Sequence, residues 1–279
     1  LGYNPPVEKT YSKIAEWLEW YQNDVKKFHK YFIYDGIGTK EEERYRLGMA
    51  KKVCEDWANL ILNEKVSIKA GAYEKRLNEI LDENNFRVRG NQLIELTFAL
   101  GTGAFVEYKD QDKVIIDFVR ADMIYPISYE NNDVTECAFG SYRNYKGQEC
   151  IYLQIHRLGR EEGEAENLYY IENKYVDSNS GQELKLPEEL LELVPTNSEE
   201  PLFQILVPNM VNNIDLDSPM GISVFANAID EIKGCDLVFD SYMNEFVLGR
   251  KRILVPISLA KIELDKLEKS GNPVPKFDP

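Results

Sequence analysis

The sequence predicts an α+β fold: N-terminal helices, then an antiparallel β meander, then one long helix. Three observations carry that reading. Apolar residues recur at three- and four-residue steps from Trp17 to Leu100, the period falls to two between Ala104 and Val176, and helical spacing returns after Ser218 over an unusually long run.

Taken in order, residues 7–34 set Trp17, Leu18, Tyr21, Val25, Phe28 and Phe32 at helical steps, which predicts an aromatic helix stopped by Asp35, Gly36 and Gly38. Thr39 and Glu42 have the T-x-x-E spacing of a capping box, so a second helix is expected from there. Its buried stripe would be Leu47, Ala50, Val53, Cys54, Trp57, Ala58, Ile61 and Leu62, with Arg44, Lys51, Lys52, Glu55 and Asp56 in water. Residues 66–68 read as a short strand, residues 73–84 and 91–100 as two more helices, and Gly101 and Gly103 as the stop.

The β region is a series of short β-branched and aromatic runs at 105–109, 114–119, 123–127, 137–145, 150–158 and 168–176, separated by polar turn residues. A single antiparallel meander is the expectation. An acidic connection (182–200), a last strand (203–207) and a polar linker (209–217) lead to the long helix.

That helix is expected to start with Ser218 as N-cap and Pro219 in its first turn, and to end at Gly249. Such a rod is about 40 Å long at 1.5 Å per residue. Phe225, Ile229, Ile232, Phe239, Tyr242 and Phe246 fall on one side and are expected to pack on the body or on neighbouring helices. Asp230, Asp240, Ser241, Asn244 and Glu245 fall on the other and are expected to face outward. Arg250, Lys251 and Arg252 then form the densest basic cluster, suited to the negative pole of the helix dipole or to contact with a partner or nucleic acid. Residues 253–255 look strand-like and 258–269 like a short amphipathic helix.

Composition narrows the function. A formal net charge of -15 over 279 residues gives bulk charge no means of gripping nucleic acid, because phosphate binding draws on Lys and Arg. Cys54, Cys137, Cys150 and Cys235 are widely spaced and read as reduced thiols. No apolar run approaches the length of a membrane span. With two histidines, His29 and His156, neither next to a nucleophile in a known motif, neither a metal nor another cofactor is expected. Gly101-Thr102-Gly103 follows a helix and precedes a strand, the reverse of a dinucleotide fingerprint, and no P-loop occurs. Paired acids such as Asp215 and Asp217 read as solvated or capping groups, leaving a carboxylate-based hydrolase as an alternative. Leu1 at the start and the Pro-rich end read as a cut piece of a longer chain.

Two stretches carry a resemblance: GMAKKVCEDWANLILNEKVSI (48–68) and SPMGISVFANAIDEIKGCDLVFDSYMNEFVLGRKRILV (218–255), with ALGTGAFVEY (99–108) beside them. Together they resemble the portal proteins of tailed phages and prophages of Gram-positive bacteria. The resemblance implies a non-enzymatic ring, usually of twelve subunits, at one capsid vertex in the virion, assembled in the host cytoplasm. Double-stranded DNA would pass through it without tight binding. The implied partners are a packaging ATPase (terminase), capsid and scaffolding proteins, and the head-tail connector. Residues 1–217 would form a wing, 218–249 the first stem helix and 250–279 the start of a clip, with the second stem helix, tunnel loop and crown following Pro279. Asp230, Asp240, Ser241, Asn244 and Glu245 would then face the channel. Another minor capsid or head-tail adaptor protein is the alternative within phage structural proteins.

Overall fold

The computed structural model describes residues 8–34, 38–62, 66–110, 113–130, 132–145, 147–160, 164–165 and 167–248. Helix α1 (Glu8–Tyr21) buries Ile14, Trp17 and Trp20 at three-residue steps. It is shorter than the period implied, because Asn23 adopts a left-handed φ of 58° and closes the turn with its N–H on the Trp20 carbonyl. A four-residue turn of helix, α2 (Lys26–His29), follows.

The rest of the expected first helix is a strand. β1 (Lys30–Tyr34) is rich in aromatic side chains and pairs antiparallel with β2 (Thr39–Glu43), Phe32 opposite Glu41 and Lys30 opposite Glu43. Thr39 and Glu42 therefore lie in a strand and cap nothing. Helix α3 (Met49–Ile61) begins instead after Gly48, at φ 67°. Its inner side narrows to Ala50, Cys54 and Ala58; Leu47, Trp57 and Ile61, expected inside, are exposed. Residues 66–68 form no strand. α4 (Glu74–Glu83) and α5 (Phe86–Leu100) follow, and α5 stops at Gly101 in the left-handed region.

The β region divides into two sheets where one meander was expected. β3 (Gly103–Asp110) and β4 (Lys113–Arg120) form a hairpin; the 3₁₀ turn Ala121–Met123 then carries the chain across to β5 (Ile124–Glu130) in a second sheet. That sheet continues as β6 (Asp133–Tyr145), β7 (Gln148–Leu158) and β8 (Tyr169–Asp177). Two short strands inside the acidic connection, β9 (Glu183–Leu184) and β10 (Leu193–Pro195), both pair with β8. β11 (Phe203–Leu206) returns to β3 and completes the order β11-β3-β4. Ala104, Val106 and Phe203 of one sheet meet Ile124, Cys137 and Phe139 of the other.

The long helix starts later than Ser218. Residues 218–225 form no helix but a buried, irregular segment whose Met220, Ile222 and Phe225 join Trp17, Cys54 and Leu100 in the helical core. The Phe98 carbonyl accepts the Val224 N–H, and Thr102 Oγ1 accepts the Gly221 N–H. Pro219 and Gly221 suit such a path better than a helix interior. A 3₁₀ turn, Ala226–Ala228, leads into α6 (Ile229–Leu248), 20 residues and about 30 Å long.

Candidate functional site

Helix α6 presents three different flanks. The first faces the body. Ile232 is buried, Ile229, Phe239 and Met243 are half-buried, and Asp236 and Asp240 lie inward between them. Asp236 is 1% exposed: its Oδ1 accepts the Leu47 N–H at 2.9 Å and its Oδ2 lies 3.2 Å from His29 Nε2. His29 Nδ1 accepts the Val25 N–H at 3.1 Å, so the ring proton sits on Nε2 and is donated to Asp236. One turn further on, Asp240 Oδ1 accepts the Tyr45 N–H at 3.0 Å, with Arg44 3.9 Å from its other oxygen. The Arg44 guanidinium lies over the Tyr31 ring and its Nε donates to the Phe28 carbonyl.

The second flank is apolar and bare. Val238, Tyr242 and Phe246 are exposed, the last two at 58% and 59%, with their rings edge-on at 4.8 Å. Cys235 is exposed on this side as well, while Cys54, Cys137 and Cys150 are buried. The third flank is mostly small and acidic: Asp230, Ser241 and Glu245 are exposed, with Gly234 half-exposed and Leu237 exposed among them. Lys233 donates to Asp230 at 2.8 Å and holds that carboxyl below its ordinary pKa.

Of the residues expected to face outward, Asp230, Ser241 and Glu245 do; Asn244 is half-buried and Asp240 is buried. Asp240, expected outside, turns inward because it accepts the Tyr45 N–H and has the Arg44 charge beside it. Of the residues expected to pack, Phe225 and Ile232 are in this chain's own core, Ile229 packs against it, Phe239 is half-buried, and Tyr242 and Phe246 touch water. The basic cluster Arg250, Lys251 and Arg252, and the strand and helix expected after it, lie outside the described residues. Asp236 was in neither set. Its signal was the Asp-x-x-x-Asp spacing from 236 to 240 on the apolar side of a helix, where a solvated carboxylate is out of place.

Among the described residues no cluster of His, Cys, Asp and Glu is arranged to hold a metal ion, and no helix is long and apolar enough to cross a membrane. An α+β body that grips a long helix on one side, and leaves it an aromatic flank and an acidic flank, is built as a part of an assembly. A family model described as phage portal protein, SPP1 Gp6-like, matches residues 6–276, and the chain belongs to that family. No curated protein matches it. The family is structural, forms oligomeric rings at the portal vertex of the virion, and serves as the conduit for DNA packaging.

Proposed function

We propose that α6 lines the channel of the ring. The observation that carries this is the chemical difference between its two free flanks. Asp230, Ser241 and Glu245 give a surface with little for a phosphate backbone to bind, and a wall that repels a polyanion lets it slide. Tyr242 and Phe246 give an apolar surface that a neighbouring subunit covers. In this reading residues 1–217 are the wing, 218–249 the stem segment and 250–279 the start of the clip. The ring has twelve subunits, assembles in the host cytoplasm with capsid and scaffolding proteins, receives DNA from a terminase ATPase, and later meets the head-tail connector. The chain needs no cofactor and catalyses nothing itself.

Electron microscopy of the purified protein tests it. Rings with rotational symmetry and a central hole of about 20 Å or more, the width of duplex DNA with its grooves, support the conduit. Monomers or closed dimers under all conditions sink it.

A further inference from the structure

The two inward carboxylates of α6 are four residues apart and meet N–H groups two residues apart, Asp236 with Leu47 and Asp240 with Tyr45. The spacings agree. Four helical residues rise about 6 Å and two extended residues about 6.6 Å, so a helix with acceptors at i and i+4 can lie antiparallel to an extended segment and address alternate N–H groups. Residues 44–47 belong to no helix or strand, and the Arg46 N–H lies between the two that the carboxylates accept. Each carboxylate also takes a second group from a root of the β1–β2 hairpin: His29 directly precedes β1 and Arg44 directly follows β2.

We propose that Asp236 and Asp240 are positioning residues that fix both the rotation and the axial register of α6 against the 44–47 segment. Two anchors one turn apart on the same side of a helix leave it neither free to roll nor free to slide. A roll carries both oxygens away from both N–H groups. A slide by one turn brings Asp240 to Leu47, and Asn244 offers an amide oxygen to Tyr45, yet it also drives the Asp236 carboxylate into the site of buried Ile232. One register survives. Resting on the channel reading above, the consequence is that this ladder decides which flank of α6 meets DNA and which meets the neighbour.

The test uses the full chain with Cys235→Ser and one new thiol, Ser241→Cys on the free side or Met243→Cys on the gripped side, labelled with iodoacetamide. With the ladder intact, Ser241→Cys reacts about tenfold or more faster than Met243→Cys. Adding Asp236→Ala and Asp240→Ala brings the two rates together while far-ultraviolet circular dichroism keeps its helical signal. Continued protection of Met243→Cys in that background overturns the proposal. Should the double variant not fold, amide exchange of the unaltered chain decides: the Tyr45 and Leu47 amides exchange about tenfold or more slowly relative to Arg46, and equal rates overturn the ladder. Both readouts are made on single chains, so they stand or fall apart from ring formation, whose failure would remove the channel reading alone.

Discussion

Gly101 and Gly221 pack main chain against main chain. A Cβ on Gly101 would lie 2.6 Å from the Gly221 oxygen, and a Cβ on Gly221 would lie 2.3 Å from the Gly101 oxygen. This crossing ties the end of α5 to the segment that delivers α6, and it sets where the long helix leaves the body. Neither backbone can give way, since Gly101 also sits at φ 85° and the Gly221 N–H is held by Thr102. Gly221→Ala is expected to cost about 1–3 kcal/mol as an overpacked site, and Gly101→Ala about 1–2 kcal/mol more for the left-handed backbone. Gly234→Ala, in the interior of α6 with open space at its Cβ, should instead stabilise by about 0.5–1 kcal/mol. Denaturant melts of the three variants check both signs; a neutral Gly221→Ala would refute the close crossing.

The period changes in the sequence marked nearly every element from α3 to β8, because one-sided burial writes itself directly as spacing. What they could not mark was set by partners distant in sequence. β2 is a run of three glutamates that no propensity assigns to a strand, and its strand is made by pairing with β1. Residues 218–225 have helical spacing and an N-cap signal, yet their main-chain bonds go to Phe98 and Thr102. The same holds for the site. Tyr242 and Glu245 were legible as opposite flanks of a helix, whereas burial of Asp236 and Asp240 depends on the main-chain N–H groups they accept about 190 residues earlier, which spacing cannot register.

His156 is fully buried at the sheet interface, its ring edge-on to Phe139 and Phe203 at 5.5 Å each, and neither ring nitrogen has a partner among the described residues. Burial lowers its pKa to about 4 from 6.5. The folded state thus binds the proton less readily than the unfolded chain. Its contribution to stability is complete above pH 6.5 and is lost as pH falls from 6.5 toward 4, a change of about 3 kcal/mol. His156→Phe fills a similar volume and removes that dependence. The difference between the two stability–pH curves should slope through this window and be flat above it, and parallel curves would show that His156 protonates freely in the fold.

Ile232 and Tyr242 separate folding from assembly. Ile232 is buried in this chain's own core, so Ile232→Asp places an unpaired charge there and costs several kcal/mol, about the stability of many domains. Soluble yield and thermal midpoint should both fall. Tyr242→Ser and Phe246→Ser alter exposed rings and should leave the single chain's melt within about 0.5 kcal/mol of the parent. Ring yield by size-exclusion chromatography should drop all the same. Normal ring yield from the double serine variant would remove the aromatic flank from the subunit interface.

Asp230, Glu245 and Asp240 make the last contrast, since all three are acids of one helix and only the first two face water. Asp230→Lys and Glu245→Lys should preserve the fold and add, per ring, one cation per subunit for each position changed. A phosphate backbone passing such a wall exchanges condensed counterions for fixed lysines, and the retarding force depends steeply on salt. DNA passage should therefore slow in these variants at low ionic strength and recover as salt is raised, because screening shortens to about 8 Å at physiological strength and less above it. Asp240→Lys should behave differently. It sets a cation beside Arg44 and withdraws the acceptor from Tyr45, so the loss should appear in stability and not be relieved by salt. Packaging assays across a salt series, run beside thermal melts, distinguish the two outcomes. Salt-independent passage through Glu245→Lys rings would place the acidic flank away from the DNA.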